Sequence, residues 1–263
     1  LTNVREAIFD AIPLNLKKGV SVGIGIFIAF IGLQNAKLVI GNDSTLVSIT
    51  NFTKDFHTAG ICSLLAVVGL LITVILYIKK VPGSILIGIL ATWVIGMLCQ
   101  ITGIYVPDFK TGYYSLFPTF AMTDFSKLGE TFGKCFQYDL GKVGIFNFIA
   151  VVLSFLFVDL FDTLGTLVGV STKAGMLDEE GKLPGIKPAL MADAIATTAG
   201  AVLGTSTVTT FVESSSGVAA GGRTGLTAVV SGFLFLISTL FAPLFTAIPS
   251  FATAPALIMV GFL

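Results

Sequence analysis

Apolar runs of about twenty residues, the length that crosses a bilayer core as an α-helix, recur along this chain and limit what it can fold into. They cover residues 19–36, 58–78, 83–104, 143–171, 189–203, 204–222 and 224–247, and a last run begins near Pro249. Only 11% of the 263 residues are charged, whereas soluble domains carry about 25%. The sequence therefore predicts an all-α, polytopic membrane protein, placed in the plasma or inner membrane.

Two of these runs do not read as simple spans. The run 189–203 is short, and the run 204–222 is interrupted by Gly, Thr, Ser and Glu213. The stretch GTSTVTT (204–210) is β-prone, while the small residues after Glu213 suit a tightly packed helix. We predict a short extended segment in a broken helix, which leaves backbone N–H groups free where the helix begins. Broken hydrophobic segments are the best sequence pointer to a transporter site.

Three acids lie inside these apolar runs: Asp159, Asp162 and Glu213. A carboxylate at bilayer depth costs about 2.5–3.5 kcal/mol on insertion scales, so such residues mark sites for a substrate, an ion or a proton. Structural alternatives remain open: either aspartate could pair with a lysine or with helix amides, Glu213 could cap a helix, and the Ser/Thr run could be helix packing.

Asp159 and Asp162 are three residues apart and fall on nearly the same face of one helix. Two like charges held away from water resist joint ionisation, so such a pair can take up and release a proton. Gly165 and Gly169 follow at small-xxx-small spacing, which would let another backbone approach just below the acids.

Other classes of site find little support. His57 is the only histidine and lies at a loop edge, which argues against a Ser-His-Asp site and a His-based metal site. Cys62, Cys99 and Cys135 are far apart and form no metal or disulfide pattern. Acidic and basic residues balance at 15 each, so no nucleic-acid partner is indicated. We predict no enzyme activity, no catalytic residue, no cofactor and no metal.

The segments between spans also have readable features. Residues 1–18 predict an interfacial helix and linker, with Lys17 and Lys18 at the membrane edge. Residues 105–142 predict an extramembrane loop with an amphipathic helix, because Phe125, Leu128, Phe132 and Phe136 recur at helical spacing.

Basic residues near the span ends predict the orientation. Short loops on one side carry most of them, and this side is predicted to be cytoplasmic; they are Arg5, Lys17, Lys18, Lys79, Lys80, Lys173, Lys182, Lys187 and Arg223. The chain begins at Leu1 and ends inside an apolar run, so we expect it to be an internal piece of a longer protein.

Four motifs give the chain a family resemblance: GIGIFIAFIGLQNA (23–36), FVDLFDTLGTLVGV (157–170), the run 189–226 and IPSFATAPALIMVG (248–261). With them the sequence resembles the nucleobase–cation symporters, and most closely the AzgA-like hypoxanthine/guanine/adenine permease branch.

The resemblance implies a transporter of fourteen spans in two inverted repeats of seven, divided into a core domain and a gate domain. Residues 19–104 would be gate spans five to seven, 143–247 core spans eight to eleven, and 248–263 the start of gate span twelve. Spans one to four, thirteen and fourteen would lie outside this chain. A homodimer through the gate domain is also implied.

The resemblance further assigns roles to the acids. In the family an acid on span eight hydrogen-bonds the base, and Asp162 stands at that position. Glu213 stands where span ten supplies a Glu or Gln on the other side of the site. Asp159 matches a further acid of the purine-permease branch.

Three neighbouring residues complete the implied substrate site. Thr166 stands where uracil carriers have a histidine, so any proton role shifts to the aspartates. Val212 would offer its backbone amide, and Ser214 would lie beside the ligand edge.

Taken together, these features predict a secondary active transporter that imports purine nucleobases by alternating access, with a proton (or sodium) as coupling ion. The main alternative is the same fold with another substrate, such as uracil, xanthine or an anion. A membrane-embedded enzyme would need a nucleophile, a metal cluster or a usable histidine. A scaffold would gain nothing from inserting charged helices.

Overall fold

The computed structural model describes residues 11–137, 144–178 and 182–263. It is mostly helical. The α-helices are α1 (Leu14–Asn35), α2 (Ile61–Ile78), α3 (Ser84–Ile101), α4 (Leu128–Thr131), α5 (Ile145–Ala174), α6 (Ile186–Leu203), α7 (Ser214–Ala219), α8 (Gly225–Leu240), α9 (Ala242–Thr246) and α10 (Ser250–Phe262). Residues 1–10 of the predicted interfacial helix lie outside the described residues.

Four described helices are long and apolar enough to cross a membrane: Phe56–Ile78, Ser84–Ile101, Ile145–Ala174 and Ile186–Leu203. The first of these joins a π-helical turn, Phe56–Gly60, to α2. Large apolar side chains cover their outer faces; Phe146, for example, is 85% exposed. Because an exposed surface of this kind suits lipid, the architecture is that of a polytopic membrane protein.

A β-hairpin corrects the expectation of an all-α fold. Strands β1 (Val39–Asn42) and β2 (Leu46–Ile49) pair antiparallel, with Val39 opposite Ile49 and Asn42 opposite Leu46. The Asn42 side-chain oxygen accepts hydrogen bonds from the Ser44 and Thr45 amides, at 2.8 and 3.1 Å, and so closes the turn. The β-prone residues of this loop favour a hairpin once that turn forms.

The predicted continuous span over 224–247 is wrong, because the helix is interrupted at Phe241 between α8 and α9. Pro243 cannot donate a backbone hydrogen bond, which frees carbonyls at the end of α8. Thr123 occupies the break. Its hydroxyl donates to the Thr239 carbonyl and accepts from the Ala242 amide at 3.1 Å, and its amide donates to the Leu240 carbonyl at 3.0 Å.

The predicted amphipathic helix in the segment 105–142 is divided into short pieces. They are the 3₁₀ helix Phe125–Lys127, then α4, then the 3₁₀ helix Lys134–Phe136. Gly133, with φ +70°, separates the last two, because a left-handed residue ends a helix. Residues 138–143 lie outside the described part.

The chain divides into two compact units. The first comprises Leu1–Ile24 with Asp124–Ala219, and the second Gly25–Thr123 with Ala220–Leu263. The predicted gate spans fall mostly in the second unit and the predicted core spans eight to ten in the first. Two boundaries differ from the predicted domains: the start of α1 groups with the first unit, and α8 with the second.

The second unit is built on close contact between α2, α3 and α10. Gly69 of α2 faces Thr92 of α3, and Gly88 of α3 faces Thr73 of α2. Each threonine hydroxyl donates to the carbonyl of the glycine four residues earlier in its own helix, at 2.8 Å for Thr73 and 2.7 Å for Thr92. Both threonines are fully buried, so each side chain occupies the space that the facing glycine leaves.

In the first unit, α5 packs against the first half of α1. Gly165 faces the Val20 and Ile24 side chains, and Gly169 faces Ser21. The predicted close approach at these glycines is therefore made by side chains of α1. On the same stretch of α5, Leu164 and Val168 join a buried cluster with Leu183, Ile186 and Leu190. This packing fixes α5, which carries both aspartates.

Candidate functional site

The acids of α5 lie beside acids from two other segments of the first unit. Asp159 and Asp162 are both half-buried and face the same side of the helix. The carboxyl of Asp162 interacts electrostatically with those of Asp159, Asp193 and Glu213. The carboxyl groups of positions 159, 193 and 213, which the sequence separates by up to 54 positions, thus lie near enough to Asp162 for their charges to act on it.

Asp193 is the acid that the sequence reasoning did not single out. It lies in α6 and is 6% exposed. The Thr163 hydroxyl lies 3.3 Å from one carboxylate oxygen of Asp193 and 3.2 Å from the Thr209 hydroxyl. The signal for Asp193 was the one used for the other three acids, a carboxylate inside an apolar run. Its membership in a short run made it less conspicuous.

The predicted break between helices is present. Helix α6 ends at Leu203, and Gly204 follows with φ +77°, a left-handed conformation that ends the helix. Residues 205–211 then form neither helix nor strand. The Thr197 hydroxyl donates to the Val208 carbonyl, and the Thr205 amide donates to the Gly200 carbonyl at 3.0 Å. These bonds hold the irregular segment along α6, so that Thr209 reaches Thr163.

The predicted binding residues at the start of α7 lie next to this segment. Helix α7 packs against α5. Among the residues that the structure describes, the Val212 amide makes no hydrogen bond to protein, and the Glu213 carboxylate accepts none from α7. The Ser214 amide donates to the Phe211 carbonyl at 3.1 Å. The alternative role of Glu213 as a helix cap is therefore not seen in this part of the chain.

Two buried hydroxyls of this region have no hydrogen-bond partner within the described chain: Thr210 Oγ1 and Ser215 Oγ. Ser215 is 5% exposed. Buried polar groups are nearly always paired with protein, water or ligand. Unpaired hydroxyls beside Glu213 are therefore candidates for contact with a bound molecule.

A pocket of about 370 Å³ adjoins Asp162. Its other lining residues are apolar: Val20, Ile24, Phe157, Val158 and Phe161. A mostly apolar wall with a single polar group is typical of sites for small organic molecules. Thr166, the remaining predicted residue, is 3% exposed and lies one turn beyond Asp162 on α5.

The arrangement suits recognition of a small polar molecule. Within the described residues, no three His, Cys, Asp or Glu side chains are grouped as metal ligands. Carboxylates accept hydrogen bonds from N–H donors, while free amides and hydroxyls can donate to ligand acceptors. The site can therefore bind a planar molecule that carries both donors and acceptors.

Thr163→Val should test the link between Asp193 and the irregular segment. Valine keeps the shape of threonine but cannot donate to Asp193, and a hydrogen bond to a charged group contributes about 1.5–3 kcal/mol. We expect the initial rate of substrate uptake by the full-length protein to fall about tenfold, since 1.4 kcal/mol is a factor of ten. Thr163→Ser is the matched control, because it keeps the hydroxyl. Equal loss in both variants, at equal abundance in the membrane, would argue against a role for the hydroxyl.

The comparison with known families gives one match over the whole chain. The model described as "Permease family" matches residues 1–263.

The similar curated proteins include three bacterial permeases. The chain is 44% identical over 263 residues to the guanine/hypoxanthine permease PbuG of Bacillus subtilis and 45% identical over 267 residues to PbuO, also named a guanine/hypoxanthine permease, of the same organism. It is 38% identical over 264 residues to the adenine permease AdeQ of Escherichia coli. Each alignment covers 100% of this chain but only 55%, 57% and 54% of the respective relative. The chain thus spans about half the length of the relatives that it matches.

Proposed function

Because this chain belongs to the permease family, we propose that it forms part of a transporter for purine nucleobases, of which hypoxanthine, guanine and adenine are the candidates. It is a multi-pass membrane protein, in keeping with its apolar helices and its family. The names of PbuG, PbuO and AdeQ support the substrate class.

One observation carries the proposal: Asp162 lines an apolar pocket and interacts electrostatically with Asp159, Asp193 and Glu213. A purine is a flat, largely apolar ring whose edge bears N–H donors and ring-nitrogen acceptors. The aromatic side chains of Phe157 and Phe161 suit its faces, and the Asp162 carboxylate can accept hydrogen bonds from its edge. Asp162 is the one charged residue among the described lining of this pocket, and its negative charge disfavours an anionic substrate.

In the proposed binding mode, Asp162 and Glu213 accept hydrogen bonds from the purine edge, approaching it from α5 and from the start of α7. The Val212 amide donates to a ring acceptor, and Ser214 and Thr166 border the ligand. The free Val212 amide and the position of Glu213 beside it support this division of roles.

Proton coupling is proposed to reside in Asp159 and Asp162. Two like charges three residues apart on one helix face, held away from water, resist joint ionisation, so this pair can take up and release a proton. Asp193 and Glu213 add further negative charge around Asp162. A purine that donates hydrogen bonds to these carboxylates would change the favoured protonation state of the pair. Substrate binding and proton binding would thereby be coupled.

The complete protein is proposed to have fourteen spans in two inverted repeats, with a core that moves against a gate to alternate access. The gate would include 19–104 and 248–263, and the core 143–247, with the gate as the surface for a homodimer. The share of the relatives that this chain matches, about half, leaves room for the remaining spans.

Uptake of radiolabelled hypoxanthine by the full-length protein, in cells that lack their own purine permeases, tests the proposal. We expect uptake at neutral external pH and faster uptake at acidic external pH, because a proton symporter is driven by the proton gradient. Excess guanine or adenine should compete, and uracil should not. Uptake that depends on sodium and not on pH would show that sodium, and not a proton, is the coupling ion. Transport of only uracil, xanthine or an anion would refute the substrate assignment.

A further inference from the structure

A second cavity, of about 340 Å³, lies in the second unit. It is enclosed by the end of α1, the start of α2, the segment 105–116 and the connection from α9 to α10. Its volume is within the range of small-molecule sites. None of the acids of the proposed purine site lines it.

The only formally charged residue among its described lining is Lys37. Lys37 has φ +58°, a left-handed backbone conformation that is unfavourable for a residue with a side chain. The buried side chain of Thr50 holds it there by donating to the Lys37 carbonyl, while the Thr50 amide donates to the Leu38 carbonyl at 3.4 Å. Backbone strain that is maintained in this way clusters at functional sites.

The conformation directs the lysine toward the cavity. The Lys37 ammonium interacts electrostatically with Cys62, a buried residue of the cavity wall. Asn35, two residues earlier, also lines the cavity. Within the described residues, neither the Lys37 nor the Asn35 side chain makes a hydrogen bond or an ion pair, so their donors are available to a ligand.

The opposite wall supplies phenols and apolar surface. Tyr105 is 2% exposed, and its hydroxyl donates to the Tyr114 carbonyl at 2.7 Å. Burial raises the pKa of Tyr105 and, together with the nearby Cys62 and Asp55, that of Tyr113, so both phenols stay neutral and the Tyr113 hydroxyl can donate to a ligand. Phe251 adds an apolar face.

The segment that forms this wall is held in place. Trp93 donates its indole N–H to the Leu116 carbonyl at 2.8 Å, and the Gln100 side chain accepts from the Leu116 amide at 2.8 Å. The cavity is therefore a preformed feature of the fold, with one cation, neutral donors and an aromatic wall.

We propose that this cavity binds a small organic anion, with the negative group on Lys37 and Asn35 and a planar apolar body against Phe251 and the tyrosines. The site is separate from the proposed purine site and does not depend on it.

Equilibrium binding of radiolabelled benzoate to the purified full-length protein tests this proposal. Charge-assisted hydrogen bonds contribute about 1.5–3 kcal/mol, so Lys37→Gln should weaken benzoate binding by at least about tenfold. Lys37→Arg should keep most of the affinity. Lys54→Gln is the matched control, because Lys54 lies in the same loop but not in the cavity wall. All variants should show the melting temperature of the unchanged protein.

Benzamide, which has the same shape without the charge, should compete poorly, and excess hypoxanthine should not displace benzoate. Benzoate binding that survives Lys37→Gln, equal binding of benzamide, or displacement by hypoxanthine would each overturn the proposal, as would absence of benzoate binding. None of these results depends on whether the protein transports purines.

Discussion

Asp162→Asn and Glu213→Ala should each abolish hypoxanthine uptake by the full-length protein while leaving its abundance in the membrane unchanged. Asparagine fills the space of Asp162 but cannot carry the charge or the proton of the carboxyl group. It also replaces an acceptor with a donor facing the purine N–H groups. Loss of a charged partner to a buried donor costs about 1.5–3 kcal/mol, and loss of proton coupling comes in addition. We therefore expect rates at least about a hundredfold lower, close to background.

Asp43→Asn provides the matched control for these variants, because Asp43 is an exposed acid in the turn of the β-hairpin. It should transport at the rate of the unchanged protein. A milder change, Glu213→Gln, keeps a carbonyl acceptor and should retain part of the uptake. Full uptake by both Asp162→Asn and Glu213→Ala would mean that these acids are structural and that the proposed site is wrong.

Gly88→Ala should strongly reduce the amount of folded protein. A methyl group at this position meets the buried Thr73 side chain, whose hydroxyl is held toward it by its bond to the Gly69 carbonyl. Overpacking of a well-filled core costs about 1–3 kcal/mol. We expect a lower melting temperature for the purified full-length protein and less of it in the membrane. Fluorescence-detected size-exclusion chromatography after a temperature series measures both.

The second-site variant Thr73→Gly gives this prediction its control. In the double variant the glycine is at position 73 and the side chain at position 88, so the two have changed places across the same helix contact. Stability should recover in part, because glycine within a helix costs about 0.5–1 kcal/mol and the packing is not restored in full. A double variant no more stable than Gly88→Ala would show that the loss arises elsewhere than at this contact.

The acids and the broken helix were predictable because a simple physical rule identifies each of them. A carboxylate inside an apolar run stands out in the sequence, and a run of small and β-prone residues marks an irregular segment. The same rule applied to Asp193 would have added the fourth acid. The rule could not predict the hydrogen-bond partner of Asp193, because Thr163 lies 30 positions away on a different helix.

Two other features of the fold were missed: the interruption at Phe241, which a distant residue fills, and the hairpin, which a local side-chain contact closes. Apolar composition is continuous across 224–247, and only Pro243 hinted at the interruption at Phe241. The hairpin of residues 39–49 depends on an asparagine side chain that closes its own turn. The roles of Val212, Ser214 and Thr166 rest on the family resemblance together with their positions, and they remain predictions.

The threonine that fills the break between α8 and α9 has a consequence for biosynthesis. Thr123 and Thr239 are 116 residues apart, so the ribosome synthesises Thr123 long before helix α8, whose carbonyl it contacts. When α8 enters the bilayer, its free carbonyls meet no water, and unsatisfied groups there cost several kilocalories per mole. The Thr123 hydroxyl and amide, which are already synthesised, can donate to these carbonyls at once. Because Thr123 is synthesised first, the α8 carbonyls need not wait for their donor. In a permuted chain with the Thr123 loop placed last, these carbonyls would stay without it until synthesis ended.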